Sequence, residues 1–484
     1  MTANSEQMTD ARDRQRSTAV RCLLSALGCL LLSGCLSLEE SLLRQEREVH
    51  SGAVANAYAQ AAEEAEAENA DTAFWQHEAG ILALWLGRAP QAISHLAAAE
   101  TQINDLARRR YGAGALDTAS ALALNDCALP YAPQGPELAF LNLYKALAYG
   151  SLANREALRV ECNRIRQRQV AWFGVCAGDL PDRSAEARDL SVAERRAVAQ
   201  AANKAAAQTP RLAAGVATAV STEAPAAQAH FAMLKGFGNA YAAHLVGVTR
   251  WCAGDAPRND LALAAALAPD ARLLAEDAAS EARGLRPENR IWIYAEDGLA
   301  PQRVGRPYSI PYPSIAGHAQ GFGTISFDVP KLVERAAAHR AYTVNGQQLE
   351  VLMEVDPLMQ AAFDRAWSGI IARQVARTLL RVAMQEGGQA ALRAGSGTEA
   401  AALLWSLGMA VYDISTNAAD LRCADLLPKR VWVGSMVRPA DGRVSVSPAG
   451  GHAFNVQLRG SGNAIVWVRI PSPGATPSIL VINL

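Results

Sequence analysis

The stretch Gly80-Ile81-Leu82-Ala83-Leu84-Trp85-Leu86-Gly87-Arg88-Ala89-Pro90-Gln91-Ala92-Ile93-Ser94-His95-Leu96-Ala97-Ala98-Ala99 reads as a helix, a turn and a second helix. Gly80 sits seven residues before Gly87, and Ala92, Leu96 and Ala99 follow Gly87 by five, nine and twelve. Small residues at Gly80, Ala92 and Ala99 allow two helices to approach closely. Trp85, Leu86, Ile93 and Leu96 supply the bulk that fills the space between them. Gly87 falls between the two apolar runs, where a residue without Cβ turns the chain at the least cost.

The frame recurs. From Glu137 to Ile165, Ala146 and Tyr149 lie on a first helix, Ala153-Asn154 takes the place of the turn, and Leu158, Cys162 and Ile165 lie on a second. From Asn239 to about Pro269, Gly247 and Gly254 are again seven apart, and Leu261, Leu263, Ala266 and Leu267 follow with a shift of about two residues. The pattern resembles tetratricopeptide repeats, which pair two antiparallel helices in about 34 residues, and three copies are the minimum that buries a continuous core. An ordinary bundle of alanine-rich helices is the competing reading. The repeat-packing residues on this reading are Gly80, Gly87, Ala92, Leu96, Ala99, Ala146 and Leu158.

Working outward, residues 35–72 are polar and rich in Ala and Glu, which suits a tether passing into a first helix. Residues 73–286 form the tetratricopeptide-like helical domain, interrupted by an alanine-rich insertion at 182–229. Character changes near Pro287. Arg290 to Ala295 reads as a strand, and Tyr308 to Pro313 is extended but too proline-rich for a central strand. Tyr342-Thr343-Val344, the Asn345-Gly346 turn and Leu349 to Leu352 read as a hairpin. Asp356 as N-cap and Pro357 at the first position open a long helix. A further helix is expected from about Thr398 to Thr416, and a β tail after it. The expectation is an α+β chain: a helical repeat domain, then a helix-plus-antiparallel-sheet domain at 287–484.

The amino-terminal stretch has a separate logic. Arg12, Arg14, Arg16 and Arg21 precede a short apolar run, Leu23 to Leu32, and then Ser33-Gly34-Cys35. The run is far shorter than the roughly 20 residues a spanning helix needs. It resembles the lipobox of bacterial lipoprotein signal peptides. The resemblance implies a signal peptide at 1–34, cleavage between Gly34 and Cys35, and lipidation (diacylglyceryl, then acyl groups such as palmitate) at Cys35. Leu36, rather than an aspartate, follows the cysteine, which implies an outer-membrane protein anchored on the periplasmic face.

The chain has 484 residues, 46 basic and 47 acidic, for a net charge of −1. Removing the four arginines and three acids of residues 1–34 leaves 42 basic and 44 acidic, so no strong field favours nucleic acid or an anionic surface. Cys127, Cys162, Cys176, Cys252 and Cys423 remain after Cys22, Cys29 and Cys35 are set aside; Cys162 and Cys176 are the one disulfide candidate.

With these parts in place, the chain resembles an uncharacterised family of bacterial tetratricopeptide-containing lipoproteins. The residues that carry the resemblance are Phe74-Trp75-Gln76-His77-Glu78-Ala79-Gly80, Gly135-Pro136-Glu137 with Tyr144-Lys145-Ala146-Leu147-Ala148-Tyr149, Glu296-Asp297-Gly298-Leu299-Ala300-Pro301, and Ala419-Asp420-Leu421-Arg422 with Leu426-Leu427-Pro428. None is a catalytic motif, so the resemblance implies a place and an architecture. Cys423-Ala424-Asp425 stands where the family pattern carries a tryptophan-containing segment.

No phosphate-binding loop, nucleophile elbow or HExxH is present. No histidine pair has metal-ligand spacing on one helix. Gly321-Phe322-Gly323 and Gly460-Ser461-Gly462 read as turns. Glu296-Asp297 are adjacent carboxylates whose side chains diverge on a strand, a poor acid/base pair. Arg373, Arg377 and Arg381 recur every four residues opposite an apolar stripe. They form a solvated face or a docking face for an acidic protein partner. Asp420 and Arg422 suggest a structural salt bridge. The expected function is a lipid-anchored envelope scaffold or assembly protein that binds protein partners through a helical groove, with no catalytic residues, metal or cofactor. The alternative is a periplasm-facing enzyme or activator of peptidoglycan metabolism.

Overall fold

The computed structural model describes residues 38–110, 130–177, 238–256, 258–314, 321–367, 370, 374, 377 and 419–484. Helices occupy the first part and strands the second. The helices of the first part are α1 (38–50), α2 (Val54–Ala65), α3 (Thr72–Trp85), α4 (Ala89–Arg110), α5 (Gly135–Ser151), α6 (Arg155–Ala177), α7 (Ala240–Cys252), α8 (Asp260–Leu267) and α9 (Arg272–Ala282), and one more helix, from residue 356, lies among the strands. Three of the successive pairs, α3/α4, α5/α6 and α7/α8, pack as hairpins, and the hairpins stack through α4 on α5 and α6 on α7.

The turns obey the spacing seen in the sequence. Gly87, Ala153 and Gly254, each seven residues after Gly80, Ala146 and Gly247, take φ values of +69°, +56° and +72°. Leu96, across the first hairpin, sits over Gly80, and Leu261 sits over Gly247 in the same way. Ala92, Leu96, Ala99, Ala146 and Leu158 are all buried. At α5 the Gln134 and Glu137 side chains close a reciprocal capping box, and Asn239 caps α7 by accepting from Ala242 N at 2.8 Å.

The described strands form three sheets: five strands in the order β11-β10-β1-β7-β6, four in the order β5-β4-β8-β9, and the pair β2-β3. Their spans are β1 (Arg290–Asp297), β2 (Gln302–Ser314), β3 (Gly321–Val333), β4 (Tyr342–Val344), β5 (Gln347–Gln348), β6 (Glu350–Glu354), β7 (Arg430–Val437), β8 (Arg443–Pro448), β9 (Phe454–Gln457), β10 (Ala464–Ile470) and β11 (Ser478–Asn483).

β1 is the central strand and is covered on both faces. Trp292 and Tyr294 belong to the core shared with the helices, whereas Ile291, Ile293 and Ala295 belong to a second core under the four-stranded sheet. α5 lies on β11, α7 on β6 and α9 on β7. One continuous core therefore runs from the hairpins into the sheet, across the boundary expected at residue 287.

Several expectations are corrected. β1 and β10 pair in parallel, so the large sheet is mixed, because β10 enters beside β1 from the same end. The Asn345-Gly346 turn joins β4 to Gln347–Gln348, and the next residues leave as β6 for the other sheet. Gly321-Phe322-Gly323 lies in β3, not in a turn. The first acceptor of the helix at 356–367 is the Val355 carbonyl, since Asp356 pairs with Lys429. Two helices occupy 38–65, where a tether passing into a first helix was expected. Cys162 is free, and Cys176 lies fourteen residues on along the same helix, roughly 21 Å away, far beyond disulfide reach. Arg377 is 2% exposed, so it does not belong to a solvent-facing docking surface. Gly34, Cys35, Arg373, Arg381, Cys127, the insertion at 182–229 and the helix expected from Thr398 lie outside the described residues.

Candidate functional site

The inner helices are buried on both sides. Thirteen of fourteen residues in α3, fourteen of seventeen in α5 and twelve of thirteen in α7 are buried. The outer helices cover one side and the chain's own sheet covers the other. The groove expected for a partner is thus already filled by residues 290–300 and 419–484.

At the centre of this contact is an ion pair. Glu296 on β1 and Arg469 on β10 are neighbours in the parallel register, both 0% exposed, with Arg469 Nε 3.8 Å from Glu296 Oε2. Glu296 accepts from Trp467 Nε1 at 2.8 Å and Tyr144 Oη at 3.0 Å. Arg469 donates to the carbonyls of Leu426, Glu296 and Ile470 and lies over the Trp85 ring, 4.6 Å from its centroid. Tyr241 stands close to the same carboxylate. Each inner helix thus brings one aromatic residue to one pair of charges: Trp85 from α3, Tyr144 from α5, Tyr241 from α7. Burial pushes the Glu296 carboxyl up, against the pull of Arg469, and burial pushes Arg469 down. Burial and the adjacent Glu296 hold the Tyr144 phenol far above its usual range.

Asp297 turns to the opposite face. Its carboxylate accepts from the Ala338 and His339 backbone amides, from His339 Nδ1 at 3.0 Å and from Tyr342 Oη at 2.7 Å. The two carboxylates diverge as the sequence indicated, so they cannot act on one substrate atom. A third polar cluster lies beneath α7: Asp277 Oδ2 takes His244 Nε2 at 3.1 Å and Trp292 Nε1 at 2.8 Å, and Tyr294 Oη meets His244 Nδ1 at 2.9 Å. All four side chains are buried. Between α4, α5 and α6, Lys145 bridges Glu100 at 2.7 Å and Glu161 at 3.0 Å.

The segment 419–428 is a strap across the inner helices. Arg422, 1% exposed, joins Asp420 and Asp71 at 2.8 Å each. Ala424 N donates to Glu137 Oε1 at 2.9 Å. Arg335 stands 3.7 Å from both Glu46 and Asp425. Glu78, 0% exposed, faces this strap with one oxygen bonded to Gln45 and the other unpartnered; burial, then Asp425, pushes its carboxyl well up. His77 is buried, and burial lowers it to about 4. The salt bridge expected at Asp420-Arg422 is present, and it ties the strap to the amino-terminal helices rather than to the β tail. The four stretches quoted for the family resemblance meet at this contact.

Chemically, the arrangement fixes layers. Among the described residues, no group of three or more His, Cys, Asp or Glu could hold a metal ion. Glu296 and Asp297 are met by donors from within the chain, whereas one oxygen each of Glu78 and Asp277 has no hydrogen-bond partner among the described residues. Arg469 escaped sequence reasoning, although a lone arginine in the apolar run Ile465 to Ile470 was the available signal. No family model, no curated protein and no solved structure matches the chain.

Proposed function

We propose that this chain is a lipid-anchored, non-enzymatic scaffold of the bacterial cell envelope, processed at Gly34-Cys35 and held by acyl groups on Cys35 in the outer membrane, facing the periplasm. The three hairpins are read as degenerate tetratricopeptide repeats, on the strength of the positive-φ turn shared by all three and the glycine-leucine approach of the first and third. The observation that carries the anchor reading is the position of α1. It is described from Leu38, three residues after Cys35, and is fastened to the body: Leu38 is buried, Ser41 Oγ donates to Glu64 at 2.6 Å, and Gln45 contacts Glu78. A lipidated Cys35 would therefore hold the folded body directly at the membrane. Protein partners of the envelope are met by the outer helices, since the inner face is occupied by the chain itself. α6 offers exposed Val160 and Val170, the latter lining an open depression with Arg166 and Arg258.

The test is incorporation of labelled palmitate in cells. Wild type should be labelled and fractionate with the outer membrane, and Cys35→Ala should be unlabelled. Label persisting on Cys35→Ala overturns the anchor. Partners are sought by pull-down from detergent-solubilised membranes, with Val160→Asp/Val170→Asp as the variant expected to lose them.

A further inference from the structure

α1 lies over a carboxyl group that the fold leaves short of donors. Glu78 on α3 is 0% exposed. Gln45 of α1 donates to its Oε2 at 3.3 Å, and its Oε1 has no hydrogen-bond partner among the described residues. Buried carboxylates ordinarily collect several donors, as Asp297 does in this chain.

The charges around Glu78 are mostly of its own sign. Glu46, next to Gln45, stands 3.7 Å from Arg335 Nη1, and the same nitrogen is 3.7 Å from Asp425 of the strap. Glu137, at the start of α5, holds the residue before Asp425 by accepting from Ala424 N at 2.9 Å. Carboxyl groups of α1, α3, α5 and the strap thus meet at one contact. Arg335 brings a cation, and His50 of α1 is exposed at its rim. Arg422, the other arginine of the strap, is turned to Asp420 and Asp71. Tyr144 of α5 and His77 carry no charge here, since burial holds the phenol's proton and lowers the imidazole to about 4. In this company Glu78 keeps its proton: burial first, then Asp425, raises its carboxyl well above the usual range.

The element that can give way is α1. α3 and α5 are buried nearly all round, whereas Glu39, Glu40, Leu43, Arg44 and Arg47 of α1 face solvent. α1 joins α2 through Ser51-Gly52, where Gly52 takes φ +81° and a Cβ would meet nothing within 4 Å. Such a turn can absorb a change of backbone angle without disturbing packing. Apart from Gln45 and Glu46, α1 is held by Leu38 and Val49 in the core, by Gln60 Nε2 on the Ser41 carbonyl at 2.7 Å and by Ser41 Oγ on Glu64. None of these contacts supplies the donors that an ionised Glu78 needs.

We propose that α1 is a latch, closed while Glu78 carries its proton and opening about Gly52 when that proton leaves, because opening admits water to a carboxylate that the closed contact cannot solvate. A proton held more tightly in the closed form favours closure at low pH. Above the pKa of the open form, the open fraction grows about ten-fold per pH unit until the closed form ionises as well. On the anchor reading the consequence is reach: Cys35 precedes α1, and its thirteen residues would add about 20 Å between the lipid and the body.

The test is hydrogen exchange, read by mass spectrometry, on the full-length protein in detergent micelles between about pH 5 and pH 9. Each rate is divided by the intrinsic rate at the same pH. Peptides from 41–50 should lose protection by about ten-fold per pH unit over part of this range, while peptides from α5 keep theirs. Glu78→Gln, which cannot ionise, should keep 41–50 protected throughout. Should that variant fail to fold, the comparison of α1 with α5 in the unaltered chain decides. Protection of 41–50 that does not change with pH, a loss shared equally by α5, or a Glu78→Gln chain that follows the unaltered one overturns the latch. These rates do not involve the lipid; failure of the anchor would show separately, as label persisting on Cys35→Ala.

Discussion

Gly80 and Leu96 approach so closely that a Cβ on Gly80 would lie 2.5 Å from Leu96 Cγ, and Gly247 repeats the relationship with Leu261 at 2.5 Å. For Gly247 the nearest atom is Leu261 Cδ2, with the branch point Cγ at 2.7 Å, so in each case the added Cβ meets the branch point of a buried side chain. Gly80→Ala and Gly247→Ala should each lower stability by about 1–3 kcal/mol, the usual cost of overpacking, read as a fall in midpoint by chemical denaturation. Ala92 is buried on the same hairpin and Gln91 is exposed. Ala92→Leu should therefore destabilise and Gln91→Leu should not; the reverse order would refute the helix phase.

The turns give a mirror pair. Gly87 and Ala153 share the left-handed conformation, at +69° and +56°. Nothing lies within 4 Å of a Cβ at Gly87, so only backbone strain opposes a side chain there. Gly87→Ala should cost about 1 kcal/mol and Ala153→Gly should raise stability by a fraction of that. Thermal circular dichroism on both variants checks the signs. A loss at Ala153→Gly would contradict the turn assignment.

The central ion pair should be intolerant of one-sided change. Arg469→Met leaves Glu296 buried without its cation, and about 3–5 kcal/mol should be lost. Tyr144→Phe removes one of two donors to Glu296, and about 1–3 kcal/mol should be lost. The order of the two, measured by denaturant unfolding, is the checked outcome. Equal losses would mean that the arginine is held by its carbonyl contacts alone.

Glu78 supplies a pH signature. Its folded-state carboxyl is raised well above the usual range, by burial and by Asp425. A raised carboxyl binds its proton more tightly folded than unfolded. Its stabilising contribution is full below the unfolded pKa and is lost as pH rises through the folded one. Glu78→Gln should therefore stabilise the protein at pH 7 to 8, with the gain shrinking toward pH 4.5. Melting curves of wild type and variant that stay parallel across this range would show that Glu78 is not strained.

The parts of the fold that were legible in the sequence are the local ones. Seven-residue offsets located all three turns, because a positive φ is a demand on single residues. The strands at Arg290, Val431 and Ile465 were visible as β-branched and aromatic runs. Their arrangement was not: β1 finds β10 across most of the second half of the chain, and no alternation pattern encodes a parallel partner. The covered inner face had a signal that was underused. α3 and α5 are apolar nearly all round, which marks a helix buried on both sides rather than one lining an open groove. Glu296 and Asp297 were correctly separated by strand alternation. The aromatic residues that surround Glu296 come from three helices spread over more than 150 residues, beyond any local pattern.

Because the inner helices are roofed by the end of the chain, the order of synthesis works against them. Asp71 waits for Arg422, 351 residues later, and Tyr144 waits 152 residues for Glu296. A nascent chain halted after α9 would show the unroofed sides of α3, α5 and α7, apolar surface of the kind that holding chaperones grip. The hairpins therefore do not form an extendable rod to which copies are freely added or removed. Any hairpin added to the described three would need further sheet to cover its inner helix.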